Sequence, residues 1–272
     1  MTRGLEGRCS IQLSYGGWRQ QYPSRCGAVA RWHPRPVRPH LVLVHGSRLA
    51  SSQWLPQLPL LEGAVSVGLV DLPGHGSRDG EPFTLGRCVE VLDAAVDAAP
   101  DGAPVVLVGH SLGGYVAMAY AAERGPRLDG LVLAGCSATP TGPGAAAYRV
   151  VAAVTERIGP DRMTRFNNRV LRRLYPAELI EPVIAGGYYF APTPDAWRAV
   201  MEHCRPEMLR GLQCPVLVLN GQWDQFRLGV RSVLRVLPHA QVRTIAGASH
   251  LSNLDRPEAF AEEVVAFATS LS

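Results

Sequence analysis

The sequence predicts an α/β architecture: a mostly parallel sheet with helices on both faces, interrupted by an inserted helical cap. Three observations point to it. Short apolar runs, each closed by a glycine-bearing loop, alternate with helical patterns from residue 40 onward. Several runs are almost continuously apolar, as strands covered by helices on both faces must be. One stretch, residues 139–210, breaks the rhythm with helical and irregular patterning and no good strand run. A chain of 272 residues suits one large domain of this kind, with residues 1–138 and 211–272 as core and 139–210 as cap.

Taken in order, the strand candidates are residues 40–45, 65–71, 104–109, 130–135, 215–220 and 241–246, and helical patterns fit at 54–61, 84–99, 112–124, 228–237 and 257–271. The last helix carries start signals, because Pro257 suits a first helical position and Glu258 a first turn. Runs at 10–15 and 28–32 read as an antiparallel pair at the sheet edge. The cap opens on a Pro/Gly-rich segment at 138–144, suited to a hinge, and carries Arg149, Arg157, Arg162, Arg165, Arg169, Arg172 and Arg173. These read as the solvated face of cap helices; the alternative is a surface for an acidic substrate or carrier.

Composition narrows the function classes. Hydrophobic residues make up 47% and charged residues 18%, which is globular rather than disordered. All 27 basic residues are arginine, and with the richness in Ala, Gly, Pro and Val this reads as GC-rich coding, so the net charge of +4 is weak evidence for an anionic partner. No basic reading motif appears, and no nucleic-acid partner is expected. Six scattered cysteines lack metal-ligand spacing and read as reduced thiols, so neither a metal nor another cofactor is expected. No apolar run reaches signal-peptide or membrane-spanning length, which predicts a cytoplasmic protein without a membrane partner; the sequence sets no oligomeric state.

The chemistry is announced by Gly109-His110-Ser111-Leu112-Gly113-Gly114, directly after one apolar run and directly before a helix pattern. A serine on a sharp strand-to-helix turn projects its hydroxyl above the sheet, and only small residues fit two positions either side. The turn aims a helix N-terminus at the reaction centre, so the Leu112 N–H is placed to bind a developing oxyanion. A second donor is expected from His45-Gly46-Ser47 at the end of the first strand, namely the N–H of Ser47. His45 reads as a turn-stabilising hydrogen-bonder, and Asp71, in Asp71-Leu-Pro-Gly-His-Gly76, as the holder of backbone donors in a turn.

With H-G at 45–46, D-L-P-G-H-G at 71–76 and G-H-S-L-G-G at 109–114, the chain resembles the α/β-hydrolase family from about residue 40 to its end. The resemblance implies the order nucleophile, acid, histidine. Asp224, in the loop after the fifth predicted strand, is the matching acid; the loop one strand earlier, Gly135-Cys-Ser-Ala-Thr139, has no carboxylate. His250, between the last strand and the last helix, is the matching base, able to reach Ser111 across the carboxyl edge of the sheet.

These residues imply a cofactor-free serine hydrolase that cleaves a carboxylic ester or lactone through an acyl-enzyme on Ser111. A serine nucleophile argues against the epoxide hydrolases and haloalkane dehalogenases of the family, which use a carboxylate. Carbon–carbon hydrolysis, thioester cleavage and lyase or cyclase chemistry remain open with the same triad, as does a ligand-binding, receptor-like module. The 71–76 string is also similar to a menaquinone-pathway lyase branch, although Tyr115 stands where that branch carries arginine. Large apolar cap residues, Tyr188 and Trp197 among them, are expected either to pack cap on core or to roof a mostly apolar pocket for a small acyl or carbonyl compound.

Overall fold

The computed structural model describes residues 37–137 and 157–271. The predicted edge pair at 10–15 and 28–32, the hinge at 138–144, and Arg149 lie outside the described residues. Six strands form one sheet: β1 (His40–Val44), β2 (Ser66–Val70), β3 (Val105–His110), β4 (Gly130–Ala134), β5 (Val216–Gly221) and β6 (Gln241–Ile245). Their order is β2-β1-β3-β4-β5-β6, and every neighbouring pair is parallel. Each predicted run holds to within one residue at either end.

Side chains alternate between the faces with the pleat of each strand. Val42, Leu107, Leu131 and Val218 join a core with α1 (Leu85–Asp97), α2 (Leu112–Arg124) and α6 (Val230–Val236). Leu41, Val106, Val132 and Leu217 join a second core with Trp54, Leu61 and α7 (Pro257–Thr269). Strands β1, β3, β4 and β5 are buried throughout, which explains their unbroken apolar runs; β6, at an edge, keeps Gln241, Arg243 and Thr244 exposed. The sheet's direction of growth reverses between β1 and β3, and the carboxyl ends of those two strands carry Ser47 and Ser111. Open α/β sheets place ligands at such a reversal.

Two predicted helices are shorter than their patterns suggested. Residues 51–57 form a 3₁₀ turn before a single α-turn, Leu58–Leu61, because Pro56 and Pro59 supply no N–H to an α ladder. A 3₁₀ turn, Gln225–Gly229, precedes α6, its entry capped by the Asp224 carboxylate on the Phe226 N–H.

Between β4 and β5 the described residues contain three α-helices, α3 (Pro160–Leu174), α4 (Ala177–Ala185) and α5 (Thr193–His203), and no strand. Helix α3 has no buried residue and exposes Arg162, Arg165, Arg169, Arg172 and Arg173; Arg172 grips Glu181 of α4 through two hydrogen bonds of 2.7 and 2.9 Å. Helix α5 instead sends Ala196, Trp197 and Val200 into the core that contains α2.

Candidate active site

Ser111 sits between β3 and α2 with φ 52° and ψ −115°, a left-handed backbone that a non-glycine residue adopts only at a cost of about 1–3 kcal/mol. The turn is possible because its flanks are bare. A Cβ on Gly113 would lie 2.5 Å from the carbonyl oxygens of Val44 and His45, and one on Gly109 would strike the Gly113 carbonyl. Ser111 is 5% exposed.

His250 reaches it from the loop after β6. Its Nε2 lies 3.0 Å from Ser111 Oγ and its Nδ1 3.1 Å from Asp224 Oδ1. The ring is stacked on Phe226 at 4.9 Å, a neighbour that no sequence pattern marked. The acid and histidine loops are laced together by Gln222 N–H to Ile245 O and Trp223 N–H to Ala248 O, each 2.9 Å. Burial opposes ionisation of Asp224, but hydrogen bonding and charge from His250, together with the Phe226 N–H, hold its carboxyl below the ordinary range. A second carboxylate-centred tie holds the histidine loop, where Asp255 accepts from Ser249 N and Oγ, both at 2.6 Å, and from the Tyr175 hydroxyl at the end of α3, also at 2.6 Å.

Ser47 stands at the end of β1, one residue past Gly46, and Leu112 opens α2. Among the described residues neither N–H has a protein acceptor. His45 is fully buried; its Nδ1–H donates to Gly46 O at 2.8 Å and its Nε2 accepts the Leu72 N–H at 3.0 Å. Burial, and then the neighbouring His75, push it down to about 3, so it is a neutral strut rather than an acid or base. Asp71 holds the next turn by accepting the N–H groups of Ser51 (2.7 Å) and Ser77 (2.8 Å).

Residues 41–263 match the sequence model of the alpha/beta hydrolase family. The chain belongs to this family. Among curated alpha/beta hydrolases it is similar to the pimeloyl-[acyl-carrier protein] methyl ester esterase of Xanthomonas axonopodis pv. citri, with 30% identity over 259 residues that span 86% of this chain and 96% of the relative. Among solved structures it is similar to a thermophilic esterase from Thermogutta terrifontis, with 28% identity and TM-score 0.70, covering 86% of this chain and 91% of that one. An esterase from Exiguobacterium antarcticum, with 18% identity and TM-score 0.71, covers 86% and 92% and shares the fold.

In this alpha/beta hydrolase two cavities meet at Arg48 and Tyr188. One, of about 220 Å³, is lined by Ser47 and by Leu49, Val170, Leu171, Val183 and Leu254, among others. The other, of about 460 Å³, is lined by Tyr188, Tyr189, Phe190 and Asp79, among others. Tyr188 thus borders both, whereas Trp197 borders neither; it is buried, edge-on to Tyr115, with its indole N–H 3.3 Å from Ser47 Oγ. Among the described residues no group of three or more His, Cys, Asp or Glu side chains is disposed to hold a metal ion, and no helix is long and apolar enough to cross a membrane.

Proposed function

We propose that this carboxylic ester hydrolase works through an acyl-enzyme on Ser111. The reading is carried by one observation, the unbroken contact Ser111 Oγ, His250, Asp224 at 3.0 and 3.1 Å. His250 Nε2 takes the hydroxyl proton as Ser111 attacks the ester carbonyl. Asp224 fixes the Nδ1–H tautomer and stabilises the imidazolium. The N–H groups of Ser47 and Leu112 take the oxyanion, and collapse expels the alcohol with the proton that His250 returns. Water, deprotonated by the same histidine, then releases the acid and regenerates the serine. Carbon–carbon hydrolysis, thioester cleavage, lyase or cyclase chemistry and receptor-like binding, which the triad alone leaves open, are not favoured by the esterase kinships.

The substrate on this reading is a small ester with an apolar acyl chain, supported by the mainly apolar 220 Å³ cavity beside Ser47. The curated relatives are named for a methyl ester on an acyl-carrier protein, so a simple alkyl ester of a medium-length acyl group is the first substrate to test. We assign residues 139–210 to a cap that selects the acyl group, and the cytoplasm as the compartment, since Cys88, Cys136, Cys204 and Cys214 are free thiols. The deciding experiment combines one fluorophosphonate adduct, mapped by peptide mass, with turnover of alkyl esters. Turnover without labelling of Ser111 would remove the proposal.

A further inference from the structure

Two polar residues beneath the site are buried without any part in proton transfer. Gln53 is completely buried and His110 almost so, and they bridge segments far apart in sequence. The Gly46 N–H donates to Gln53 Oε1 (2.8 Å), Gln53 Nε2–H donates to His110 Nδ1 (2.9 Å), and His110 Nε2–H donates to the backbone carbonyl of His250 (2.9 Å). Only one assignment of hydrogens satisfies this chain. The His250 carbonyl is an acceptor, so His110 Nε2 must carry the proton and Nδ1 must accept. The Gly46 N–H is a donor, so the Gln53 oxygen must face it and the amide NH₂ must face His110. The remaining Gln53 N–H points to Asn253 Oδ1 at 3.4 Å.

We propose that Gln53 and His110 are positioning residues, a buried relay that locks the loop carrying Ser47, the loop carrying His250 and the elbow carrying Ser111 into one register. The inference rests on the Ser111 reading above. One end of the relay sets the backbone immediately before the Ser47 N–H, and the other holds the backbone of the base itself. Gly46 is the residue that lets the parts meet, for a Cβ there would lie 2.9 Å from His110 Nδ1 and 3.4 Å from Gln53 Oε1. Its N–H would otherwise be a buried donor without a partner, a loss of the kind that structures rarely tolerate. The relay needs His110 neutral, and burial followed by the nearby His250 keeps it so, pushing it down to about 4 against the weaker pull of the His250 carbonyl hydrogen bond and of Asp224. The ring centroids of His110 and His250 are 5.0 Å apart, so a proton on His110 would also oppose the imidazolium that catalysis requires.

The test is nuclear magnetic resonance of ¹⁵N-histidine protein, paired with kinetics on p-nitrophenyl butyrate. In the unaltered protein His110 is expected as the Nε2–H tautomer, without titration from about pH 9 down to about pH 5, across the range where an ordinary histidine protonates. Gln53→Glu keeps an acceptor for Gly46 but cannot donate as a carboxylate, so His110 Nδ1 must gain a proton. Its turnover should fall by about tenfold or more with KM changed by less than about threefold, the pattern of a group that acts on the transition state rather than on binding. Gln53→Leu, which removes both bonds, should lose at least as much turnover. An Nδ1–H tautomer or ordinary titration in the unaltered protein overturns the relay, as does a Gln53→Glu protein with unchanged His110 resonances or turnover within about twofold of normal. Ser111→Ala measured in parallel separates the two claims: if it keeps its activity the nucleophile assignment falls, while the resonances of His110 still decide whether the relay exists.

Discussion

Trp197 of α5 and Ser47 of the loop after β1 are joined by a 3.3 Å hydrogen bond from indole N–H to hydroxyl, across 150 residues of chain. The sequence offered Trp197 two roles, packing or pocket roof, and the structure buries it edge-on to Tyr115 in the main core, where it borders neither cavity. The bond ties Trp197 to the loop that carries the Ser47 N–H. Trp197→Phe keeps the apolar body and removes the donor, a bond whose net worth is about 0.5–1.5 kcal/mol. The expected outcome is a two- to tenfold fall in kcat/KM, about what that energy permits, with acyl preference unchanged. A normal rate would show that the bond does not hold the loop.

The nucleophilic role proposed for Ser111 and the strain of its backbone separate by substitution. Ser111→Ala should abolish fluorophosphonate labelling and lower turnover by about a millionfold, the scale on which serine nucleophiles act. Ser111→Gly should be equally inactive yet at least as stable to urea as the alanine variant, because glycine accepts the φ of 52° that alanine does not. A glycine variant markedly less stable than the alanine variant would show that the turn stores no strain.

Asp224→Asn should leave the urea unfolding midpoint near normal and reduce turnover by roughly four orders of magnitude, since an amide facing His250 Nδ1 favours the wrong tautomer. Asp255 gives the control. It also holds the histidine loop, but through Ser249 and Tyr175, so Asp255→Asn should cost far less turnover than Asp224→Asn. Equal losses in the two proteins would mean that the loop's position, not the charge on Asp224, carries the effect.

The buried histidines set a pH dependence of stability. His110 and His45 are held near 4 and 3, below the free value of 6.5, so between those limits and 6.5 the unfolded chain binds protons that the folded chain refuses. Stability therefore rises with pH across that window and is lost on acidification, at up to about 1.4 kcal/mol per pH unit for each histidine. The urea midpoint should be nearly flat above about pH 7.5 and fall steadily below about pH 6.5. His110→Gln, if it folds, should show a shallower fall, and an identical slope would contradict the assignment.

What was legible in the sequence follows from how local each signal is. The four central strands were readable to a residue because burial on both faces demands unbroken apolar runs such as Leu41–Val44 and Val105–Val108. The turn at Ser111 was readable because Gly109 and Gly113 answer to atoms within a few residues and to β1 beside them. Asp224 and His250 could be nominated from the chain order that the family resemblance implies, and the fold brings His250 to Ser111 and Asp224 to His250. The Gln53–His110–His250 relay was not readable: its bonds span 57 and 140 residues, Gln53 belongs to no motif, and the motif that holds His110 points to Ser111 alone. A buried amide betrays its partner only in three dimensions.

The cavity beside Ser47 makes the last prediction, that acyl length is measured by the segment between β4 and β5. Val170 and Leu171 of α3 and Val183 of α4 meet Leu49 and Leu254 around a space of about 220 Å³, and Tyr188 stands between this space and the larger one. Burial of each acyl methylene is worth about 0.8 kcal/mol, so kcat/KM should climb about fourfold per added carbon until the space is full and then level or fall. Val170→Phe should move that optimum to shorter chains by filling the cavity, and Tyr188→Ala should move it to longer ones by opening the boundary. Both variants should keep normal fluorophosphonate labelling of Ser111, because neither residue is a member of the hydrogen-bonded chain from Ser111 to Asp224. Identical chain-length profiles in all three proteins would show that these residues only pack against one another, and the acyl group would have to lie elsewhere.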